Sequence, residues 1–116
     1  MAAAKKGELV PRPARKNEYE IRFASSSARK GWRDLVSTTR NSMSDAWDFL
    51  TTSPTAVTAT NYRLKGELGT VVRGGQTFQR WQYKPTVKGS ARIWFYIDGR
   101  TVFLEQVHTA HPNETK

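Results

Sequence analysis

Polar and apolar residues alternate over Glu18-Tyr19-Glu20-Ile21-Arg22-Phe23-Ala24, with Tyr19, Ile21 and Phe23 on one side and Glu18, Glu20 and Arg22 on the other. A period of two predicts a half-buried strand. The period then changes. Ala28, Trp32, Leu35 and Val36 recur at i, i+4, i+7 and i+8 behind Ser25-Ser26-Ser27, whose hydroxyls are good acceptors for the free amides of a helix start. After Ser37-Thr38-Thr39-Arg40, a second apolar stripe runs through Met43, Ala46, Trp47 and Leu50 and stops at Ser53-Pro54. Two short amphipathic helices in a hairpin are predicted, with Trp32 and Trp47 read as core. Residues 51–60, rich in threonine, read as a loop.

Beyond residue 60 aromatic and β-branched residues are punctuated by glycine. Trp81 and Tyr83 alternate with Arg80, Gln82 and Lys84. After a turn at Pro85 and Lys88-Gly89-Ser90, Ile93, Phe95 and Ile97 alternate with Arg92, Trp94 and Tyr96. Asp98-Gly99 signals a tight turn, and Thr101 to Val107 completes a hairpin. Val71-Val72 or Phe78 marks a candidate additional strand. The predicted class is α+β: an N-terminal strand, a two-helix hairpin, then a three- to four-stranded antiparallel sheet with helices on one face.

Composition sets bounds on this picture. A chain of 116 residues with 37% hydrophobic residues, four Trp, four Tyr and five Phe supports one small core and no second domain. Residues 1–17, with two prolines and five basic groups, read as a flexible basic arm, and 18–116 as a single domain. The absence of cysteine excludes disulfide scaffolds and zinc ribbons. No apolar run of membrane-spanning length and no secretory signal is seen, which leads to the expectation of a cytoplasmic protein without membrane association. The net charge of +9 is uneven: residues 1–24 carry +3, 25–60 carry +1 and 61–116 carry +5. Such an excess points to a polyanionic partner, and its concentration in the last half places the partner there.

If the strand alternation holds, the sheet face away from the helices gathers Arg80, Gln82, Lys84 and Arg92 beside Trp94 and Tyr96. Guanidinium and ammonium groups hold phosphates, and rings stack on bases at about 1–3 kcal/mol each. A solvated face on a basic protein would show the same alternation. The only two histidines, His108 and His111, follow the last strand, and histidine exchanges protons near neutral pH. Two histidines without cysteine or clustered carboxylates are too few for a metal site. Gly74-Gly75 is followed by Gln-Thr, without the Lys and Ser/Thr of a phosphate-binding loop, and no nucleophile-elbow pattern occurs.

The order of elements, together with EYEIRFA, SSSARKGWRDL, a second helix ending in TTSP, Leu64-Lys65-Gly66, RWQYK, Ala91-Arg92-Ile93-Trp94-Phe95-Tyr96 and a last strand ending in VH, resembles the RelE/ParE superfamily of toxins from bacterial type II toxin–antitoxin systems. The likeness covers roughly residues 18–112. Its most specific feature is the arginine opening a hairpin strand, followed by an apolar and aromatic run and an Asp turn. The segment Glu67 to Gln79 is longer than in compact members, with room for an extra hairpin at Gly74-Gly75. The terminal tyrosine of several members is replaced here by His111-Pro112-Asn113-Glu114.

The resemblance implies a microbial RNase fold and, for the RelE branch, a metal-independent, cofactor-free endoribonuclease that cuts messenger RNA in the A site of the 70S ribosome. The 2′-hydroxyl attacks the adjacent phosphorus, the 5′-oxygen leaves, and a 2′,3′-cyclic phosphate remains. By this likeness Arg92 stabilises the phosphate, Lys84 and Arg80 supply base or cation, and one of His108 and His111 donates the proton. Lys65, Arg73, Gln82, Lys88, Trp94 and Tyr96 form the expected RNA-binding surround. The implied partners are a cognate antitoxin protein, messenger RNA with 16S rRNA contacts, and operator DNA bound by the toxin–antitoxin complex. Two other readings stay open: a ParE-like inhibitor of DNA gyrase, and a basic RNA- or ribosome-binding module without catalysis.

Overall fold

The computed structural model describes residue 7 and residues 9–86 and 89–110. The fold is α+β: two helices lie against one face of a five-stranded mixed sheet, and a separate two-stranded hairpin lies near the other face. The chain forms β1 (Glu20–Phe23), α1 (Ser26–Thr38), α2 (Arg40–Thr52), β2 (Asn61–Arg63), a 3-10 turn (Gly66–Gly69), β3 (Thr70–Arg73), β4 (Gln76–Gln79), β5 (Trp81–Tyr83), β6 (Arg92–Asp98) and β7 (Thr101–His108). In the large sheet the order is β1-β7-β6-β5-β2, with β1 parallel to β7 and the other pairs antiparallel. The expected antiparallel meander is β5-β6-β7. Two strands flank it, β1 on one edge and β2 on the other.

The core follows the predicted periods. Ala28 and Leu35 of α1, Met43, Ala46 and Leu50 of α2, and Trp81, Tyr83, Ile93, Phe95, Val102, Leu104 and Val107 of the sheet form one buried cluster. Burial of that apolar area is what holds helices to sheet. Of the two tryptophans expected in the core, Trp32 is half-buried and packs against the core cluster, whereas Trp47, also half-buried, is not part of it; both line an open apolar groove of about 380 Å³ with Val36 and Met43. The Trp32 ring meets Phe23 of β1 edge-on at 6.5 Å between centres, at the margin of the sheet. The start of residues 51–60 also departs from a plain loop, since Thr51 and Thr52 finish α2; β2 begins directly after the segment, at Asn61. Fully buried Asn61 donates from Nδ2 to the carbonyls of Pro54 (2.9 Å) and Ala56 (2.8 Å), fixing the connection that delivers β2 to the sheet edge.

Three joints set the geometry near β7. The Ser25 hydroxyl accepts from the Ala28 amide (3.0 Å), capping α1, and donates to the Glu105 carbonyl (2.9 Å). At Gly31 a side chain is excluded, because a Cβ would run into the Val107 carbonyl oxygen and stand 2.9 Å from the Val107 Cβ. α1 therefore lies directly on the end of β7. Between β6 and β7 the register shifts, with Trp94 opposite Gln106 but Phe95 opposite Leu104, so Glu105 is the extra residue of a β-bulge. The β6–β7 loop is Gly99-Arg100, and Gly99 takes φ +61°, a conformation that glycine adopts without a Cβ penalty.

The described part of the N-terminal arm approaches α2 and β1. Arg12 makes two hydrogen bonds to the Glu18 carboxylate (both 3.1 Å), and its guanidinium stands 4.8 Å from the centre of the Trp47 ring. The Arg12 side chain first, and the Arg15 backbone N–H second, hold the Glu18 carboxyl below its ordinary range. Among the described residues no helix is long and apolar enough to cross a membrane.

Candidate nucleic-acid interface

Strand register sorts the outward face into rows. Tyr62 of β2 pairs with Gln82 of β5, Gln82 with Trp94 of β6, and Trp94 with Gln106 of β7, so these four side chains share one row. One step along, Arg92 pairs with His108. Lys84 follows directly on Tyr83, the partner of Ile93, which brings it level with Arg92. The register therefore brings the sequence-predicted Lys84, Arg92 and His108 into one row at the end of the sheet where β6 begins and β7 ends. On the other side of the Tyr62–Gln106 row stand Arg80, Tyr96 and Phe103.

The row containing Gln82 is a closed polar ladder. Trp94 Nε1–H donates to Gln82 Oε1 (2.8 Å), and Gln82 Nε2–H donates to the Tyr62 hydroxyl (2.9 Å). Trp94 and Gln82 are 2% and 3% exposed. Trp94 also meets the His108 ring edge-on at 4.9 Å between centres, and the Arg80 guanidinium lies 5.4 Å from the Trp94 ring. Trp94 thus sets His108 from within the sheet. It offers no open ring face.

Tyr96 is also buried, its ring between Phe78 of β4 (5.0 Å) and Phe103 of β7 (5.2 Å). The expectation that Trp94 and Tyr96 stack on bases is therefore corrected. The physical reason is the β3–β4 hairpin, turning at Gly74-Gly75, whose Phe78 covers one end of the outward face. Sequence reading located that hairpin but gave it no place on the sheet.

The cations divide into two groups. Arg80 and Arg73 converge on Glu105, a residue absent from the sequence-predicted set: Arg73 Nη2–H donates to Oε2 at 2.6 Å, Arg80 Nη2–H donates to Oε2 at 3.2 Å, and Arg80 Nε stands 2.7 Å from Oε1. Glu105 is 5% exposed, so its charge is balanced inside the protein; Arg80 is largely committed to it, whereas the Arg73 side chain stays half-exposed. Its sequence signal was the spacing Val102, Leu104, Val107, in which the period of two breaks at Glu105-Gln106. Arg92 is different. It is 7% exposed, its Nη1 donates to the carbonyls of Gly89 (3.0 Å) and Ala91 (2.8 Å), and no carboxylate among the described residues pairs with it. Its buried Nε has no hydrogen-bond partner among those residues. A guanidinium keeps its charge, and charge removed from water without a counter-ion is a site for an anion.

Lys84 is half-buried, with Nζ 5.3 Å from the centre of the Tyr62 ring. Lys65 is exposed just before the 3-10 turn, and no contact places it in the Arg92 row. Lys88 and His111 lie outside the described residues. Tyr62 was missed from the sequence because β2 has three residues, too few to show a period.

Compared with known proteins, the chain matches no family model, and no curated protein and no solved structure is significantly similar to it.

Proposed function

We propose that this chain is an RNA-cleaving toxin of the RelE/ParE superfamily, acting on messenger RNA in the ribosomal A site and held inactive by a cognate antitoxin. The observation that carries the reading is Arg92, a buried guanidinium that pairs with no carboxylate among the described residues and stands opposite His108 across β6–β7. A phosphodiester presented at this end of the sheet would place a non-bridging oxygen on Arg92. Lys84 and His108, the two proton-exchanging side chains level with Arg92, then divide the transfers. One takes the proton of the 2′-hydroxyl as the O2′–P bond forms, and the other protonates the 5′-oxygen as the P–O5′ bond breaks. The products are a 2′,3′-cyclic phosphate and a free 5′-hydroxyl. Arg80, committed to Glu105, takes a supporting place beside Trp94 rather than the phosphate.

The test is inducible expression in bacteria with mapping of messenger RNA 5′ ends, with and without the neighbouring gene. Growth arrest with new ends inside translated messages is expected. Loss of the Arg92 donor in Arg92→Ala, and of the proton carrier in His108→Ala, should each reduce cleavage by roughly a hundredfold or more, in proteins whose thermal unfolding shows they are folded. Growth arrest without new RNA ends would move the reading to gyrase inhibition. Binding of RNA with neither arrest nor cleavage would leave a non-catalytic module. Full cleavage by folded Arg92→Ala would end the nuclease assignment.

A further inference from the structure

The polar ladder behind the Arg92 row fixes the direction of a proton. An indole N–H only donates, so the Gln82 atom that receives it from Trp94 must be the amide oxygen. The other end of that amide is then –NH₂, which faces the Tyr62 hydroxyl at 2.9 Å and has no lone pair to offer. The Tyr62 oxygen is therefore an acceptor inward, and its own hydrogen points away from Gln82. No other hydrogen bond of this hydroxyl occurs among the described residues, and Tyr62 is only half-buried. Lys84 brings its ammonium over the same ring.

We propose that Tyr62 is a substrate-contacting residue that donates its hydroxyl hydrogen to a phosphate oxygen of the RNA strand drawn to Lys84 and Arg92; the proposal rests on the RNA-binding part of the reading above. Gln82 and Trp94 are positioning residues for that donor. The ladder makes Tyr62 an uncharged donor held in one direction beside a cation. An exposed tyrosine without such a partner would rotate freely and lose the hydrogen bond to water. The sheet edge formed by β2 then belongs to the interface, and the RNA crosses from His108 and Arg92 toward Tyr62.

The experiment measures binding of a short single-stranded oligoribonucleotide, fully 2′-O-methylated so that it cannot be cut, over a range of salt concentrations. Tyr62→Phe keeps the ring under Lys84 and removes only the donor. Affinity should fall roughly tenfold, the size expected for one hydrogen bond to a charged group, while the slope of log Kd against log salt stays unchanged because no charge is lost. Lys84→Met should reduce that slope by about one. Gln82→Glu supplies a carboxylate that accepts from both Trp94 and Tyr62 and so turns the Tyr62 hydrogen inward. In that background the further change Tyr62→Phe should cost no more than about twofold, a coupling that a merely structural tyrosine would not show.

Wild-type affinity for Tyr62→Phe, or an equal loss in both backgrounds, would overturn the proposal while Arg92→Ala still weakens binding. If Arg92→Ala binds as tightly as the wild type, or the wild type does not bind the oligonucleotide, the RNA-binding reading falls and this proposal falls with it. Thermal unfolding of each variant separates loss of contact from loss of fold.

Discussion

Glu105 holds its carboxylate between Arg73 and Arg80 at the bulge of β7, where the backbone also receives the Ser25 hydroxyl from the cap of α1. Burying one carboxylate there is tolerable because two guanidiniums meet it, and removing it leaves Arg80, with a side chain 13% exposed, without its counter-charge. Glu105→Ala should therefore destabilise the protein by about 3 kcal/mol, read from the urea midpoint at constant slope. The double change Glu105→Leu with Arg80→Met should recover much of that loss, since a buried pair can often be replaced by apolar residues of similar volume. If Glu105→Ala unfolds at the wild-type midpoint, the ion pair is not holding the outward face. The contrast with Arg92 is one of counter-charge: Arg80 has its anion built in, and Arg92 meets none among the described residues.

At the scale of elements, the close approach of α1 to β7 couples helix packing to the candidate site. Gly31 touches Val107, and the next residue is His108. Gly31→Ala would ordinarily gain about 1 kcal/mol of helix propensity. Here the added methyl meets a backbone carbonyl rather than a flexible side chain, so the helix or the strand has to move. Overpacking of this kind costs about 1–3 kcal/mol, and a net loss of about 1–2 kcal/mol is expected in denaturant unfolding, together with weaker RNA binding because the end of β7 shifts. A stabilised Gly31→Ala variant would show that the contact relaxes freely. The β3–β4 hairpin has a different role: through Phe78 on Tyr96 and Arg73 on Glu105 it covers one end of the outward face, away from the Lys84–Arg92–His108 row.

For the whole molecule, stability should fall in alkali through Tyr83. This ring is buried between sheet and helices, stacked on Phe49 of α2 at 5.1 Å between centres, and burial first, with the Asp45 charge second, pushes its phenol above the ordinary value of 10.0. The folded state thus binds this proton more tightly than the unfolded chain. Its contribution is fully present below pH 10.0 and is lost as pH rises past that value. Unfolding free energies measured from pH 8 to 11.5 should decline less steeply for Tyr83→Phe than for the wild type; parallel curves would refute the assignment. The net charge of +9 surrounds the molecule with a positive field over the same scale, while locally Glu105 offsets part of the charge of Arg73 and Arg80.

Much of this fold was legible in the sequence because side-chain period is a local property. Alternation alone assigned Trp81, Tyr83, Ile93 and Phe95 to the core face and Gln82, Arg92, Trp94 and Tyr96 to the other, and the helix stripes identified Ala28, Leu35, Met43, Ala46 and Leu50. Being on the face away from the helices is not the same as being exposed. That distinction was decided by the β3–β4 hairpin, a contact between segments distant in sequence whose short strands carry no information about where they dock. The same holds for Tyr62, which joins the site only because the buried amide of Asn61 fixes the loop that carries β2 to the sheet edge. The sequence by itself determined which residues are cationic and which side of a strand they occupy. Only the tertiary structure decided that Glu105 pairs with Arg73 and Arg80 and that Arg92 meets no such carboxylate among the described residues, because a counter-charge depends on distance in space, which the strand register and one bulge set.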